Sequence, residues 1–321
     1  MKFEIKTSYN FDKICFLNCL TGNEYYLKYY KKEYDIFYPL LDKKSKTLFT
    51  KGMEMCGKTT ISPLVTLYIS SMKDFNKRDL EELINNEQEM KSSFRKHIYY
   101  DANEWQDNYT FIKATLPIIK DLERVNFKEY WLTNRLPLIK AKKTELNSYL
   151  LNFDLGELIS SFVEFKEDIC TVYLCSFARP HGIKLCGPSF ISDYSYKKES
   201  TISIAAHEMF HPPYNYEHVK DYVDILAKND LIVEAFKNQN PNSGYYTLDD
   251  FIEENIVEAL GVYVCYMLNI EKEPYEYFEK HDEGSHVLSP HFFNYLLNNP
   301  KSNNINFDEY FIEFVKRFTG V

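Results

Sequence analysis

Two histidines and a glutamate in this sequence have a spacing that is typical of metal chemistry. His207, Glu208 and His211 form the pattern His-Glu-x-x-His within a run of small and apolar residues. On a helix with about 100° per residue, His207 and His211 lie within about 40° of each other, so their imidazoles converge on one point. The opposite face carries apolar residues that a core can bury, namely Ile202, Ala205, Ala206 and Met209. The pattern therefore predicts a zinc site on a half-buried helix.

The limits of this helix are indicated by residues on either side of the motif. Ser200 and Thr201 are good N-caps, so we expect the helix to cover about residues 200–211. Pro212 and Pro213 end it, because the residue before a proline avoids the helical conformation. His211 then lies in the last turn, and a third metal ligand must come from elsewhere in the chain.

A second helix is predicted at about residues 247–269, and it offers acidic residues for that role. Thr247 and Asp250 resemble a capping box at its start. Glu254 and Glu258 are four residues apart on one face of a helix that is apolar over most of its circumference. A buried carboxylate needs a cation or strong hydrogen-bond donors, and a zinc ion held by the two histidines supplies the first.

These two elements together resemble the gluzincin metallopeptidases, the thermolysin-like group, in which His-Glu-x-x-His is followed by a helix with a zinc-binding glutamate. The resemblance covers residues 169–261 and is carried by His207, Glu208, His211, Glu254, Glu258 and Gly261. It implies that one Zn²⁺ ion is bound by His207, His211 and Glu254. It also implies that Glu258 accepts a hydrogen bond from a ligating histidine and orients it.

The reaction implied by this resemblance is hydrolysis of a peptide bond. Zinc lowers the pKa of its bound water, and Glu208 acts as the general base and then passes the proton to the leaving amine. A tetrahedral intermediate also needs a donor for its oxyanion. We expect His286 in this catalytic role, because Gly284 and Ser285 indicate a loop beside it; the alternatives are His291, Tyr214 and Tyr216.

Other ligand sets remain open from the residues alone. Glu258 and Glu253 are alternative third ligands, although Glu253 is expected to turn toward the apolar side or to cap the helix start. Glu217 and His218 are further alternatives. A metzincin site would require glycine and histidine where the chain has Tyr214 and Glu217. The other histidines, His97, His181 and His281, have no informative spacing.

Other functions are also compatible with the motif. The chain is either a peptidase acting on short or selected peptides through a narrow, covered cleft, a zinc hydrolase of a non-peptide amide, or a catalytically silent binding protein with a zincin-like fold. Glu208 favours catalysis, because metal binding alone does not require that carboxylate.

Composition limits the partners and the compartment. The net charge of −9 argues against nucleic acid as a partner, and a peptide or protein substrate is expected instead. No run of about 18 apolar residues is present, so no membrane association is expected. The amino terminus lacks the apolar core of a signal peptide, and the seven cysteines show no disulfide or zinc-ribbon framework. These features favour a cytoplasmic protein.

The pattern along the chain predicts an α+β, helix-rich fold. Residues 1–155 are expected to form a mainly helical region of unknown role after a first strand, with helices near 60–72, 77–99, 103–124 and 127–152. Residues 156–321 are expected to form the zincin-like catalytic region. Its β-branched and aromatic runs predict strands within about 168–192, as a hairpin or as two adjacent strands, in a small sheet packed on the active-site helix.

Overall fold

The computed structural model describes residues 2–56, 60–150, 155–163, 169–240, 243 and 245–321. The chain divides into two compact units. The amino-terminal unit contains residues 3–148 and 171–196, and the carboxy-terminal unit contains residues 1–2, 149–170 and 197–321. Both units are helical in the main, and a mixed four-stranded sheet completes an α+β fold, as the sequence predicted.

The described residues form ten α-helices before residue 151, the last of which extends past the division of the chain at residue 148. They are α1 (Tyr9–Leu20), α2 (Glu24–Phe37), α3 (Lys43–Cys56), α4 (Ser62–Ser70), α5 (Leu80–Asn85), α6 (Glu87–Phe94), α7 (Trp105–Ala114), α8 (Leu116–Arg124), α9 (Phe127–Asn134) and α10 (Leu136–Leu150). Three of the predicted long helices are each a pair of shorter ones. Pro117 and Pro137 occupy the first turns of α8 and α10, where a missing N–H costs nothing, so each proline begins a new helix.

The sheet has the strand order β1-β2-β4-β3, with β1 (Lys2–Thr7), β2 (Ile169–Cys175), β3 (Ile183–Lys184) and β4 (Ser189–Asp193). Strands β2 and β4 are parallel, with Thr171 opposite Ser189 and Cys175 opposite Asp193. Strand β3 is antiparallel to β4. The strands predicted within 168–192 are therefore present and adjacent, although residue 168 lies outside the described residues.

The division of the chain places these strands differently from the sequence-based boundary at residue 155. Residues 171–196 belong to the amino-terminal unit, whereas the helix with His207 belongs to the carboxy-terminal unit. One physical reason is the buried carboxylate of Asp12 on α1. Its Oδ1 accepts hydrogen bonds from the backbone N–H groups of Ser176 (2.5 Å) and Phe177 (3.1 Å), which fixes the end of β2 to the first helix.

The described residues of the carboxy-terminal unit form eight α-helices and a short 3-10 helix at His281–Gly284. The α-helices are α11 (Leu155–Ser160), α12 (Lys198–Glu208), α13 (Tyr216–Leu226), α14 (Asp230–Asn238), α15 (Leu248–Met267), α16 (Pro274–Lys280), α17 (Ser289–Asn298) and α18 (Phe307–Thr319). Helix α15 is the most deeply buried, since twelve of its residues are buried, and it packs against α12 and α17. Among the described residues, no helix combines the length and apolar character needed to cross a bilayer.

Helix α15 confirms the second predicted helix closely. Thr247 is its N-cap, and the side chains and backbones of Thr247 and Asp250 form the reciprocal hydrogen bonds of a capping box. The carboxylates that follow are therefore placed at defined positions on a rigid, buried helix.

Candidate metal centre

The two motif histidines lie at the carboxy-terminal end of α12. The helix begins one turn earlier than predicted, with Lys197 as N-cap, and it ends at Glu208 rather than at residue 211. Beyond it the chain forms tight turns, in which the N–H of Phe210 donates to the carbonyl of His207 (3.0 Å). His211 is therefore outside the helix, yet its Nε2 atom lies 3.2 Å from Nε2 of His207. The two Nε2 atoms therefore converge through the turns that follow α12, and not on a regular helix as predicted.

Glu254 on α15 completes a group of three converging ligand atoms. Its Oε1 is 3.1 Å from Nε2 of His207, and its Oε2 is 3.5 Å from Nε2 of His211. Ligands at about 2.0–2.1 Å from a tetrahedral zinc lie roughly 3.3 Å from one another, which matches these separations. The side chains of the three residues are 14–19% exposed, so the group is open on one side. The donor set and its spacing fit a zinc ion with a free position.

The outer nitrogens of both histidines face carboxylates. Nδ1 of His207 lies 2.9 Å from Oε2 of Glu258, and Nδ1 of His211 lies 3.2 Å from Oε1 of Glu253. When each Nδ1–H donates to its carboxylate, each Nε2 presents a lone pair to the common point. The orienting position of Glu258 was expected, but that of Glu253 was not. The prediction that Glu253 turns to the apolar side or caps the helix start is wrong, because its carboxylate lies against His211.

Electrostatics in the group favour a positive charge between these residues. Burial works to lower the pKa of His207, but the carboxylates of Glu254 and Glu258 raise the pKa well above its usual range. Burial works to raise the pKa of Glu254, but His207 and His211 lower that pKa to about 2. The carboxylates therefore stay ionised at neutral pH, and a proton or a metal cation must balance them.

Glu208, the expected general base, is the last residue of α12 and is buried, with 6% of its surface exposed. It thus lies next in the chain to a ligand candidate and shares the end of the helix with it. A buried carboxylate next in the chain to a candidate ligand is a candidate for holding and transferring a proton.

The alternative ligands and oxyanion donors lie in other environments. His218 contacts Asp308, with 2.9 Å between Nδ1 and Oδ2, and the hydroxyl of Tyr216 donates to Asp249 (2.6 Å). The ring of Tyr214 packs on Phe311, and His291 packs on Phe318. Within the described part of the chain, the histidine and carboxylate groups that are close enough to share a metal include neither Glu217 nor His218.

His286 belongs to a second group that the sequence did not predict. It is 2% exposed, and one of its ring nitrogens and one ligand atom each of Glu258 and His281 all lie within 4.8 Å of one another. His281 carried no informative spacing, because its partner His286 is five residues away on an irregular loop rather than on one helix face. Tertiary structure alone brings the two rings to Glu258.

Gly261 allows the two site helices to approach closely. A Cβ atom at this position would lie 3.2 Å from Cα and 3.3 Å from N of His207. A contact of that length is tighter than most, so one helix would have to give by a few tenths of an ångström. The glycine that follows the two acidic residues in the motif therefore suits the close packing of α15 on the backbone of His207.

No family model, curated protein or solved structure matches this chain. The site consists of two imidazole nitrogens and a carboxylate that converge, and two further carboxylates that contact the outer ring nitrogens. Glu208, a buried acid, follows His207 in the chain.

Proposed function

We propose that the protein is a zinc-dependent metallopeptidase of the gluzincin type. The observation that supports this most directly is the convergence of Nε2 of His207, Nε2 of His211 and the carboxylate of Glu254 at separations of 3.1–3.5 Å. These three residues would hold one zinc ion. The Nδ1 contacts to Glu258 and Glu253 strengthen the proposal, because an oriented neutral imidazole is what a metal ligand requires.

When bound, zinc supplies a Lewis acid that polarises a substrate carbonyl and acidifies a water molecule. Residues of the chain transfer the protons and hold the two imidazole rings in position. The carboxylate of Glu208 takes the proton of the attacking water and delivers it to the amine nitrogen as the peptide C–N bond breaks. Glu258 and Glu253 keep the two rings in place throughout. We propose short or selected peptides as substrates, since a site whose ligands are 14–19% exposed admits an extended chain more readily than a folded surface.

The test combines metal content with peptide turnover in the full chain. We expect the wild type to contain zinc and to cleave members of a peptide library, while Glu208→Gln keeps the zinc and loses turnover by about 100-fold or more. His211→Ala combined with Glu254→Gln should lose turnover together with the zinc ion proposed at His207. Glu199→Gln, in the exposed first turn of the same helix, is the matched control and should change neither.

Three outcomes would count against the proposal. Absence of zinc from the wild type removes the metal centre. Zinc without cleavage of any peptide favours the non-peptide amide or binding alternative. Equal turnover by Glu208→Gln and wild type removes Glu208 from the chemistry.

A further inference from the structure

We propose that Glu258, His281 and His286 form a second site for a divalent transition-metal ion. The three residues lie in the carboxy-terminal unit, on α15 and on the loop that precedes α17. The proposal goes beyond the peptidase function, because it concerns a second metal and does not depend on hydrolysis.

The two oxygens of Glu258 face different partners. Oε2 contacts Nδ1 of His207 at 2.9 Å, whereas Oε1 lies 3.9 Å from Nδ1 of His281. The second distance is beyond hydrogen-bond reach and about 0.6 Å longer than the spacing of two ligands of a tetrahedral zinc ion, so a small side-chain movement would bring both atoms to one metal ion. Ligand atoms of Glu258, His281 and His286 all lie within 4.8 Å of one another. One carboxylate can therefore orient His207 and bind a second cation at the same time.

The loop that carries the two histidines is shaped to return to Glu258. Glu283 and Gly284 have positive φ angles of 60° and 74°, and a Cβ atom on Gly284 would lie 3.0 Å from the carbonyl oxygen of Glu279. Only a glycine fits this turn without strain. The ring of Tyr277 stacks on His281, with centroids 4.9 Å apart and 16° between the planes. The rings are thus held by a constrained backbone and by packing, as in a preformed ligand site.

The far end of the loop is anchored to α15 itself. The N–H of Leu288 donates to Oδ1 of Asn255 (2.9 Å), and the hydroxyl of Ser289 donates to the carbonyl oxygen of Asn255 (2.8 Å). Asn255 lies three residues before Glu258 on the same helix. His286 and Glu258 are therefore attached to one rigid element, which keeps their ligand atoms together.

Four carboxylates lie in or beside the two groups of candidate ligands. Glu208 and Glu258 are buried, and the side chains of Glu253 and Glu254 are 22% and 15% exposed. Carboxylates that are mostly removed from solvent favour cations beside them.

The donor set and its surroundings indicate which ions enter. Two imidazoles and one carboxylate suit zinc, cobalt, nickel or iron(II) rather than calcium or magnesium, which take oxygen ligands. His281 also lines a surface pocket of about 410 Å³ whose other walls include Glu271, Glu273, Glu276 and Lys280. The excess of acidic side chains attracts cations to the mouth of this pocket, beside a ligand of the site.

The experiment measures bound Zn²⁺ and Co²⁺ per full chain by equilibrium dialysis and elemental analysis. The first variant, His281→Ala combined with His286→Ala, leaves His207, His211 and Glu254 intact. The second variant, His211→Ala combined with Glu254→Gln, leaves Glu258, His281 and His286 intact. His291→Ala, on the exposed side of α17, controls for adventitious binding to a histidine, and far-UV circular dichroism checks that each variant folds.

We expect two ions in the wild type and in the control, and one in each double variant. His281→Ala alone should weaken one of the two ions by about 10- to 100-fold while leaving the fold unchanged, because His281 is partly exposed. Equal metal content in the wild type and in His281→Ala/His286→Ala overturns the second site, even where the first site and peptidase activity persist. One ion that is lost only from His281→Ala/His286→Ala supports the second site and contradicts the proposed peptidase centre.

Discussion

Glu253 lies outside the proposed ligand set, but its carboxylate contacts one proposed ligand, His211. Its Oε1 lies 3.2 Å from Nδ1 of His211, so it selects the tautomer in which Nε2 carries a lone pair. A carboxylate in this position also makes the imidazole a stronger ligand, since it stabilises positive charge on the ring. His211 depends on this partner especially, because it lies beyond the end of α12 and lacks the support of a helix backbone.

We therefore expect Glu253→Gln to lower zinc affinity by about 10-fold, the lower end of the range for such orienting partners. Glutamine still accepts the hydrogen bond but brings no charge. The measurement is a competition titration against a chromophoric chelator. Glu217→Gln is the matched control, because Glu217 is exposed and lies outside the metal-binding groups. An unchanged affinity in Glu253→Gln would show that the contact does not orient the ligand.

The residue pattern predicted the central group but not its surroundings. His207, His211 and Glu254 are brought together as the resemblance implied. Glu253 was misassigned because its direction was judged only from its position near the start of the helix predicted at 247–269, without the position of His211 beyond the end of α12. Once His211 leaves the helix, its ring meets Glu253 as well as Glu254. His281 was missed because its approach to Glu258 depends on the positive φ angles at Glu283 and Gly284.

At the scale of elements, the site depends on the distance between α12 and α15. Gly261→Ala places a methyl group within 3.2–3.4 Å of three atoms of His207, so the helices must separate by a few tenths of an ångström. We expect zinc affinity to fall by about 10-fold, since His207 moves relative to Glu254. Stability should change by only about 1 kcal/mol, because alanine improves helix propensity while it disturbs the packing.

The control for Gly261→Ala is Tyr266→Ala, which alters the same helix at a side chain that is 40% exposed. Zinc affinity and thermal unfolding of both variants are measured together. Gly261→Val, with a larger side chain, should extend the loss of affinity. If both glycine variants bind zinc as the wild type does, close packing at this point does not position His207.

Element boundaries followed the sequence only where the local chemistry was unambiguous. The capping box at Thr247 and Asp250 predicted the start of α15, because both partners lie within one turn. The start of α12 was misplaced, since Ser200 and Thr201 lie inside its first turns and Lys197 has the extended backbone of an N-cap. The end of α12 was predicted at residue 211, three residues beyond its actual end at Glu208. Prolines 212 and 213 mark only the last residue that a helix can reach, and the helix can end before it.

At the scale of the whole chain, the fold class was predictable and the grouping of strands was not. Abundant aromatic residues and few glycines indicated a helix-rich protein. The boundary near residue 155 was placed where the pattern along the chain changes from helical to strand-like. Strand β2 instead lies between β1, at the start of the chain, and β4. Such long-range pairing leaves no trace in a local pattern, so residues 171–196 could not be assigned to the amino-terminal unit in advance.

The half-buried side chain of His97 and the buried carboxylate of Asp12, both in the amino-terminal unit, give the chain opposing responses to pH. Burial and then the positive charge of Lys184 lower the pKa of His97 to about 4, and its Nδ1 accepts a hydrogen bond from the N–H of Tyr99. Burial raises the pKa of Asp12 to about 7, with the charge of Asp193 adding to the shift, although Trp131 and Ser176 donate to its carboxylate and oppose it.

Each shifted pKa makes the stability depend on pH, because the folded and unfolded states bind different numbers of protons. Below pH 6.5 the histidine is protonated in the unfolded chain, whereas His97 in the folded protein stays neutral until the pH approaches 4. The contribution of His97 to stability is therefore present above pH 6.5 and is lost as the pH falls toward 4. Folded Asp12 keeps a proton that the unfolded chain has released. Its contribution is present below pH 3.8 and is lost as the pH rises toward 7.

We therefore expect His97→Gln and Asp12→Asn to change the pH profile of stability in opposite directions. Between pH 4 and pH 6.5 the free energy of unfolding of wild type relative to His97→Gln should increase with pH, by about 1 kcal/mol for a partly exposed ring. Relative to Asp12→Asn, the free energy of unfolding of the wild type should decrease as the pH rises. Urea unfolding followed by tryptophan fluorescence measures this directly, because Trp105 and Trp131 are the two tryptophans of the chain and both lie in the amino-terminal unit. Parallel profiles for the wild type and both variants would show that neither His97 nor Asp12 has a shifted pKa.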